Sequence, residues 1–165
     1  MRGLSIERLF PPAVGALLAV QAFLLVSTAL QETQTWDESY HMLAGYSYWK
    51  LGRLDINREH PPLGKYLNTL PLVVLAPELP IDQPSWKRGD YVEAGVDFLY
   101  HNHLRADTML FAARSATMLL TLALGAAIAW WGRRRYGAAA ALIALVFFVF
   151  DPNILAHGRY VTTDI

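Results

Sequence analysis

The hydrophobic pattern begins with a long apolar run that follows a short polar leader. Residues 10–30 contain no ionisable side chain, and these 21 residues would form a helix about 30 Å long, the thickness of the hydrocarbon layer of a bilayer. A cleaved signal peptide would have a shorter apolar core and a cleavage site of small residues, which residues 28–31 match poorly. The pattern therefore predicts an uncleaved transmembrane helix over residues 10–30, after a leader of residues 1–9.

Two more apolar runs lie near the other end of the chain. The first, residues 107–131, carries one charged side chain beyond its first residue, Arg114. The second, residues 137–156, reaches a spanning length only when Asp151 and Pro152 are included in its outer turns. Residues 132–136 then form a short hairpin, and we expect three transmembrane helices.

The distribution of basic residues predicts how these helices are oriented. Arg2 and Arg8 lie in the leader, and three consecutive arginines lie in the hairpin, whereas the 76 residues of segment 31–106 carry only seven basic side chains. Basic residues are enriched on the cytoplasmic side of membrane proteins. The leader and the hairpin are therefore predicted to be cytoplasmic. The loop of residues 31–106 and the start of a second loop, residues 157–165, are then extracytoplasmic.

The long first loop contains helical patterns of its own. Apolar side chains recur at helical spacing along one face of residues 37–51, which predicts an amphipathic helix lying on the membrane. A His-Pro-Pro sequence at residues 60–62 forces a turn or an extended conformation before a second short helix, from Leu63 to about Leu70. The expected fold is an all-α membrane protein with three transmembrane helices and a long extracytoplasmic first loop that carries interfacial helices.

Composition excludes several classes of function. Basic and acidic side chains balance at 14 each, so no long-range field attracts nucleic acid, and a chain with 54% hydrophobic residues is not disordered. Without cysteine, the chain has no disulfide framework, no Cys-ligated zinc and no thiol nucleophile. His101 and His103 are a weak metal-binding signal, because no further spaced ligand set accompanies them.

An acidic pair comes shortly after the first predicted transmembrane helix. Asp37 and Glu38 stand at the start of the predicted amphipathic helix, and His41 follows one turn later on the same face as Asp37. A carboxylate at a helix amino end is stabilised in its ionised form, which makes Asp37 an acceptor at neutral pH. The alternative role for Asp37 is a plain helix cap.

A second acidic residue, Asp164, follows the third predicted transmembrane helix. His157 and Arg159 precede it, and the predicted topology puts all three on the same side of the membrane as Asp37. Charged groups gathered at one membrane surface usually serve a site. Capping of a further helix is the alternative for Asp164.

Cations surround the two prolines of the first loop and one enters a transmembrane run. A rigid turn that presents Arg58, His60 and Lys65 beside a bilayer suits a lipid-linked phosphate, and headgroup contact by snorkelling side chains is the alternative. Glu59 accompanies them. Arg114 lies about 9 Å inside the second run by helix rise and either snorkels outward or pairs with a carboxylate.

Four stretches of the chain, taken in order, carry a family resemblance. They read W-D-E-S-Y-H-M-L-A-G-Y, H-P-P-L-G-K-Y-L, R-A-D-T-M-L-F-A-A-R-S-A-T and A-H-G-R-Y-V-T-T-D-I. Together they resemble the GT-C membrane glycosyltransferases, and most closely the phospholipid-carrier-dependent type to which protein O-mannosyltransferases and aminoarabinose transferases belong. Members of that family have many more transmembrane helices. The chain therefore resembles an amino-terminal third, and we expect a truncated sequence or a partial gene product.

The resemblance implies roles for individual residues. Asp37 matches the acidic residue taken as the catalytic base, with Glu38 as its companion, and Asp164 matches an acidic residue that helps to orient the acceptor or the base. Asp151 fits the pattern less well because it stands at the membrane edge. The residues expected beside the donor phosphate are Arg58, His60, Lys65 and Arg159. The residues expected in supporting roles are His41, Arg114 and His157.

The implied activity is that of a hexosyl- or mannosyltransferase-like enzyme of the plasma (inner) membrane. It would move a sugar from a polyprenyl phosphate donor to a hydroxyl of a protein, lipid or glycan acceptor, by inverting displacement on the extracytoplasmic face. Phosphate is a good leaving group, so one base and some positive charge suffice. No cofactor is certain, a divalent cation stays open, membrane lipids are expected contacts, and nucleic acid is not an expected partner.

Two other classes of protein are alternatives. A non-catalytic membrane module would use the same cations to bind a lipid-linked phosphate or partner helices. A transporter fragment would be expected to contain interrupted transmembrane helices in a repeated arrangement, and the sequence has none.

Overall fold

The computed structural model describes residues 6–162, and 75% of them are helical with no strand among them. This confirms the all-α prediction. The helices are α1 Ile6–Ala29, α2 Glu38–Leu51, α3 Pro62–Leu75, α4 Pro84–Arg88, α5 Tyr91–Tyr100, α6 Ala106–Phe150 and α7 Pro152–His157. Two of these helices, α1 and α6, are long and apolar enough to cross a membrane.

Helix α6 does not run straight through its 45 residues. Gly137 has φ 85° and ψ 170°, a conformation that glycine adopts far more readily than other residues. A Cβ atom added to Gly132 would lie 3.2 Å from the Cβ of Ala141, although nine residues of continuous helix would separate them by about 13 Å. The chain therefore doubles back at Gly137, and α6 consists of two arms packed side by side.

The predicted hairpin is thus shifted and shortened. Residues 132–136 were expected to form it, but they remain helical as the end of the first arm, and the reversal falls on Gly137. The three arginines and the tyrosine have no conformational preference for a tight turn. Of the two glycines, Gly132 stays helical in close contact with Ala141, and Gly137 adopts the positive φ of the reversal.

Residues 6–28 and 118–159 form one compact unit. Its apolar core combines residues of α1 and of both arms of α6: Phe10, Ala129, Ala138, Ala141, Leu145 and Val149. Small side chains at the crossing points let the arms approach closely, as in many membrane helix pairs. Thr121 donates a hydrogen bond of 2.9 Å to the carbonyl of Gly158, which joins the end of α7 to the first arm of α6.

Residues 29–117 and 160–162 form the second unit, and α2 lies at its centre. Helix α3 packs against one side of α2 and α5 against another. Every residue of α2 from Glu38 to Tyr48 is buried. The prediction that residues 37–51 lie on the membrane surface is therefore wrong, because α3 and α5 cover its polar face as well as its apolar one.

Helix α3 has the two-sided character that was expected of α2. Its polar residues Lys65, Asn68 and Thr69 are buried. Four apolar side chains spaced along the opposite face are exposed: Leu63, Leu67, Leu70 and Val74, with Val74 86% exposed. The helix also continues to Leu75, beyond the predicted end near Leu70, because Pro71 does not break it.

Two glycines set how closely α3 and α5 approach α2. A Cβ atom on Gly45 would lie 2.7 Å from Thr69 Oγ1 and closer still to the carbonyl oxygen of Lys65, and a Cβ atom on Gly95 would lie 2.7 Å from the backbone nitrogen of Tyr40. Backbone atoms cannot move aside as a flexible side chain does. Both crossings therefore require glycine.

Alanine at either crossing is expected to destabilise the second unit by about 1–3 kcal/mol, the usual cost of overpacking a close contact. Gly15→Ala is the matched control, because a Cβ atom at that helical position has no neighbour within 4 Å. Hydrogen exchange of the α2 amides in detergent measures the difference. Equal protection in Gly45→Ala, Gly95→Ala and Gly15→Ala would contradict the expected close packing.

Candidate functional site

A buried ion pair lies at the start of α2. Arg114 on α6 donates from Nε to Glu38 Oε1 at 2.9 Å and from Nη2 to Glu38 Oε2 at 2.6 Å, and the two side chains are 1% and 0% exposed. The remaining donors of Arg114 reach three backbone carbonyls, those of Ala29, Glu32 and Thr33. Of the two alternatives for Arg114, pairing with a carboxylate is confirmed and snorkelling is wrong.

Glu38 also joins distant parts of the chain. Besides Arg114, its oxygens accept hydrogen bonds from the backbone nitrogens of Thr35 at 2.9 Å and Val161 at 3.1 Å. Four donors therefore surround a fully buried carboxylate. Glu38 holds the segment after α7 beside the start of α2, but it has no exposed oxygen for a substrate, and its predicted catalytic role stays a prediction.

Asp37 differs from Glu38 in both exposure and bonding. Its side chain is half-buried and caps no amide of α2, so the plain-cap alternative is wrong for this residue. Its Oδ1 accepts a hydrogen bond of 2.6 Å from the hydroxyl of Tyr40. Burial, together with that hydrogen bond, raises the pKa of Tyr40, which keeps the hydroxyl protonated as a donor. One oxygen of Asp37 is fixed, and Oδ2 has no bonded partner among residues 6–162.

Aromatic and histidine rings surround this carboxylate. The ring of His41 lies 4.9 Å from that of Tyr40 and 4.9 Å from that of His60, measured between centroids. The predicted residues Asp37, His41 and His60 therefore belong to one cluster. On the other side, Tyr91 meets the Tyr40 ring edge-on at 5.7 Å.

Tyr91 is a member of this cluster that the sequence did not indicate. Its hydroxyl donates to Glu59 Oε1 at 3.1 Å, and this hydrogen bond is the largest of the causes that raise its pKa. The one local signal was Asp90, whose side chain accepts a hydrogen bond from the nitrogen of Glu93 and so caps α5. A cap predicts where a helix starts, but it does not predict which ring that helix places beside α2.

Lys65 is buried and bonded to the loop that precedes α3. Its ammonium group donates to the carbonyl and side-chain oxygens of Asn57 and to the carbonyl of His60, the last two at 2.9 and 3.1 Å. Burial lowers the pKa of Lys65 to about 8. Lys65 therefore stabilises the loop that carries Arg58 and His60, and its contact with a donor phosphate stays a prediction.

Other predicted site residues lie elsewhere or outside the described range. His157 and Arg159 belong to the first unit, where Arg159 donates to the carbonyl of Leu155. Arg58 is exposed, and Asp164 lies outside residues 6–162. Asp151 caps α7 through the nitrogens of Asn153 and Ile154.

The histidine pair that gave a weak metal signal is divided between two carboxylates. His101 Nδ1 lies 2.9 Å from Asp97, and His103 Nδ1 lies 3.9 Å from Glu78. In the described part of the chain, no three side chains of His, Cys, Asp or Glu gather as a metal site would require.

Comparison with known proteins gives no relative to extend this description, because no family model, curated protein or solved structure matches the chain. The described residues have an all-helical fold, two helices that are long and apolar enough to cross a membrane, and a cluster around Asp37 in the second unit.

Proposed function

We propose that this chain is a membrane glycosyltransferase, or the amino-terminal part of one, that uses a polyprenyl phosphate sugar as donor. It is a multi-pass protein of the plasma (inner) membrane. Helix α1 crosses the membrane once, and the two arms of α6 cross on either side of Gly137, the second arm being continued by α7. The second unit then lies on the extracytoplasmic face, where the lipid-linked donor is presented.

The environment of Asp37 carries this proposal. A base for a hydroxyl acceptor must be ionised, reachable and held in one orientation. The half-buried Asp37 carboxylate has one oxygen held by Tyr40 and is not used as a cap. Glu38, next in sequence, is fully occupied by its four donors, which leaves Asp37 as the better base of the pair.

The reaction needs one proton transfer and one displacement. Asp37 Oδ2 takes the proton of the acceptor hydroxyl as its oxygen forms a bond to the anomeric carbon. The bond from that carbon to the phosphate oxygen breaks at the same time, and the phosphate leaves with the electron pair. Attack from the opposite face inverts the anomeric carbon. Arg58 supplies positive charge for the leaving phosphate and His60 a hydrogen-bond donor, and Lys65 holds the loop that carries both.

The exposed apolar stripe of α3 supports a position of the second unit at the lipid surface. Leu63, Leu67, Leu70 and Val74 lie on one side of the helix, and the Trp49 and Tyr66 rings lie beside it, 5.0 Å apart. Aromatic and apolar side chains of this kind settle at the boundary between headgroups and acyl chains. Helix α3, rather than α2, is the interfacial helix of the proposed topology.

The test uses the product of the native gene, purified and reconstituted in liposomes with radiolabelled polyprenyl phosphate sugars. We expect transfer of label to a hydroxyl acceptor with inversion at the anomeric carbon. The competing function is a non-catalytic module. Because Lys65 and Arg114 are bonded within the second unit, such a module would bind the phosphate through the exposed Arg58. Saturable binding of polyprenyl phosphate without turnover of any sugar donor would support that module and overturn the enzyme.

A further inference from the structure

A cavity of about 160 Å³ opens in the second unit beside the Asp37 cluster. Leu43 and Ala94 contribute apolar walls, from α2 and α5 respectively. Trp86 and Tyr91 bring two aromatic rings, and Arg53 and Asp55 bring charges from the loop after α2. Pockets for drug-sized ligands are larger, about 300–1,000 Å³. This cavity therefore suits a single small ring.

The charges at the cavity favour an uncharged ligand with hydroxyl groups. Arg53 donates from Nε to Asp55 Oδ1 at 3.0 Å, and its Nη2 bonds the second oxygen of Asp55. The cation is thus already neutralised, and Asp90 adds a further negative charge at the cavity. The Arg53 guanidinium holds the pKa of Asp55 below its usual range, so Asp55 is an acceptor. Arg58 also acts on Asp55, so the charges at the cavity balance and leave no surplus positive charge to hold a phosphate or a carboxylate.

Aromatic rings beside acceptors are the usual requirement for binding a sugar. One face of a pyranose presents C–H groups that stack on an aromatic ring, and its edge presents hydroxyls that donate to carboxylates. Trp86 packs partly against the core of the second unit, which fixes its ring, and no residue among 6–162 accepts a hydrogen bond from its indole nitrogen. The cavity offers Trp86 and Tyr91 for stacking and Asp55 for the hydroxyl edge.

Tyr91 connects this cavity to the proposed base. Its ring lines the cavity and contacts the ring of Tyr40, whose hydroxyl bonds to Asp37. We propose that the cavity binds one uncharged sugar ring, and that this ring belongs to the acceptor whose hydroxyl Asp37 deprotonates. The acceptor assignment rests on the proposed function, whereas sugar binding by the cavity does not. The acceptor class is then a glycan or a glycolipid headgroup.

Direct binding measurements test the cavity without requiring turnover. Methyl glycosides of glucose, galactose, mannose and N-acetylglucosamine are added to the reconstituted native gene product without donor, and saturation-transfer NMR reports binding. We expect at least one glycoside to bind, and Asp55→Asn to weaken it about tenfold or more, since hydrogen bonds to charged groups contribute about 1.5–3 kcal/mol. Asp107→Asn, at an aspartate with 83% side-chain exposure, is the control and should bind normally.

Trp86→Ala should abolish sugar binding, but Trp86 also packs against the core, so this variant could lose binding by misfolding. Asp55→Asn changes a residue near the surface and avoids that ambiguity. Hydrogen exchange of the α2 amides checks that both variants are folded. Failure of all four glycosides to bind, or equal affinity in Asp55→Asn and wild type, overturns the inference. Sugar binding without transfer from any donor leaves the cavity in place and overturns the proposed enzyme. If the protein transfers sugar to a glycan and the KM for that glycan is the same in Asp55→Asn and wild type, the enzyme stands and the cavity is not its acceptor site.

Discussion

Glu38→Gln or Arg114→Met is expected to destabilise the second unit by about 3–5 kcal/mol, the usual cost of leaving one member of a buried ion pair without its partner. The desolvation cost of both charges is offset only while they bond each other, because neither side chain contacts solvent. Removing Arg114 also leaves three backbone carbonyls without their donor. A domain is stable by only about 5–15 kcal/mol, so either change removes a large part of that margin.

An exposed ion pair in the same unit provides the matched control. Arg105 and Asp107 lie 3.3 Å apart with 83% of each side chain exposed, and Arg105→Met should cost less than about 1 kcal/mol. The double variant Glu38→Gln/Arg114→Met should be less destabilised than the sum of the two single variants. The stability of the four variants (Glu38→Gln, Arg114→Met, the double variant and Arg105→Met) is measured as the protection of their α2 amides against hydrogen exchange. Equal protection in Arg114→Met and Arg105→Met would contradict the role given to this pair.

The ion pair also illustrates what the sequence left undecided. The sequence predicted that Arg114 needs a partner, because an unpaired charge within an apolar segment costs free energy. The identity of Glu38 as that partner was not, because the two residues are 76 positions apart and several carboxylates were equally available. Long-range pairing depends on how α2 and α6 pack, and neither pattern nor charge in either segment encodes that packing.

The two helices of the first loop show a similar limit. Helical spacing in residues 37–51 and after residue 62 predicted two helices, and both exist. An amphipathic pattern reveals that one face will be buried, but it does not reveal whether protein also covers the other face. In α2 the polar face is covered by α3 and α5, and the exposed apolar stripe lies on α3 instead. Gly45 on α2 and Gly95 on α5 mark the two close crossings, and the sequence pattern had not singled out either glycine.

The sequence predicted Asp37 as an acidic site residue, and that role stays a prediction, whereas the surroundings of Asp37 were not predicted. A carboxylate just after a transmembrane run is visible in the sequence, and so is a histidine one turn later. The hydroxyl of Tyr40 that fixes one oxygen, and the contact of His41 with His60 across the loop, arise only when α2 and the segment before α3 meet. The site therefore combines a local signal with contacts that only the fold supplies.

Asp37→Asn is expected to lower the rate of sugar transfer by about 10²-fold to 10⁴-fold, the contribution of a general base. The amide has nearly the same shape and can still accept the hydrogen bond from Tyr40, but it cannot take a proton at neutral pH. Donor binding and fold should therefore be unchanged while turnover falls. Single-turnover transfer from a radiolabelled polyprenyl phosphate sugar in proteoliposomes, together with a separate donor-binding measurement, distinguishes the two effects.

Two further variants make this test specific. Asp107→Asn removes an exposed aspartate of the same unit and should transfer at the wild-type rate. Tyr40→Phe leaves the Asp37 carboxylate but frees its Oδ1, so it should slow transfer less than Asp37→Asn does, through loss of orientation rather than of the base. Wild-type turnover in Asp37→Asn would remove Asp37 as the base. Because Glu38 has no oxygen to spare, the base would then have to be sought at Glu59 or Asp164.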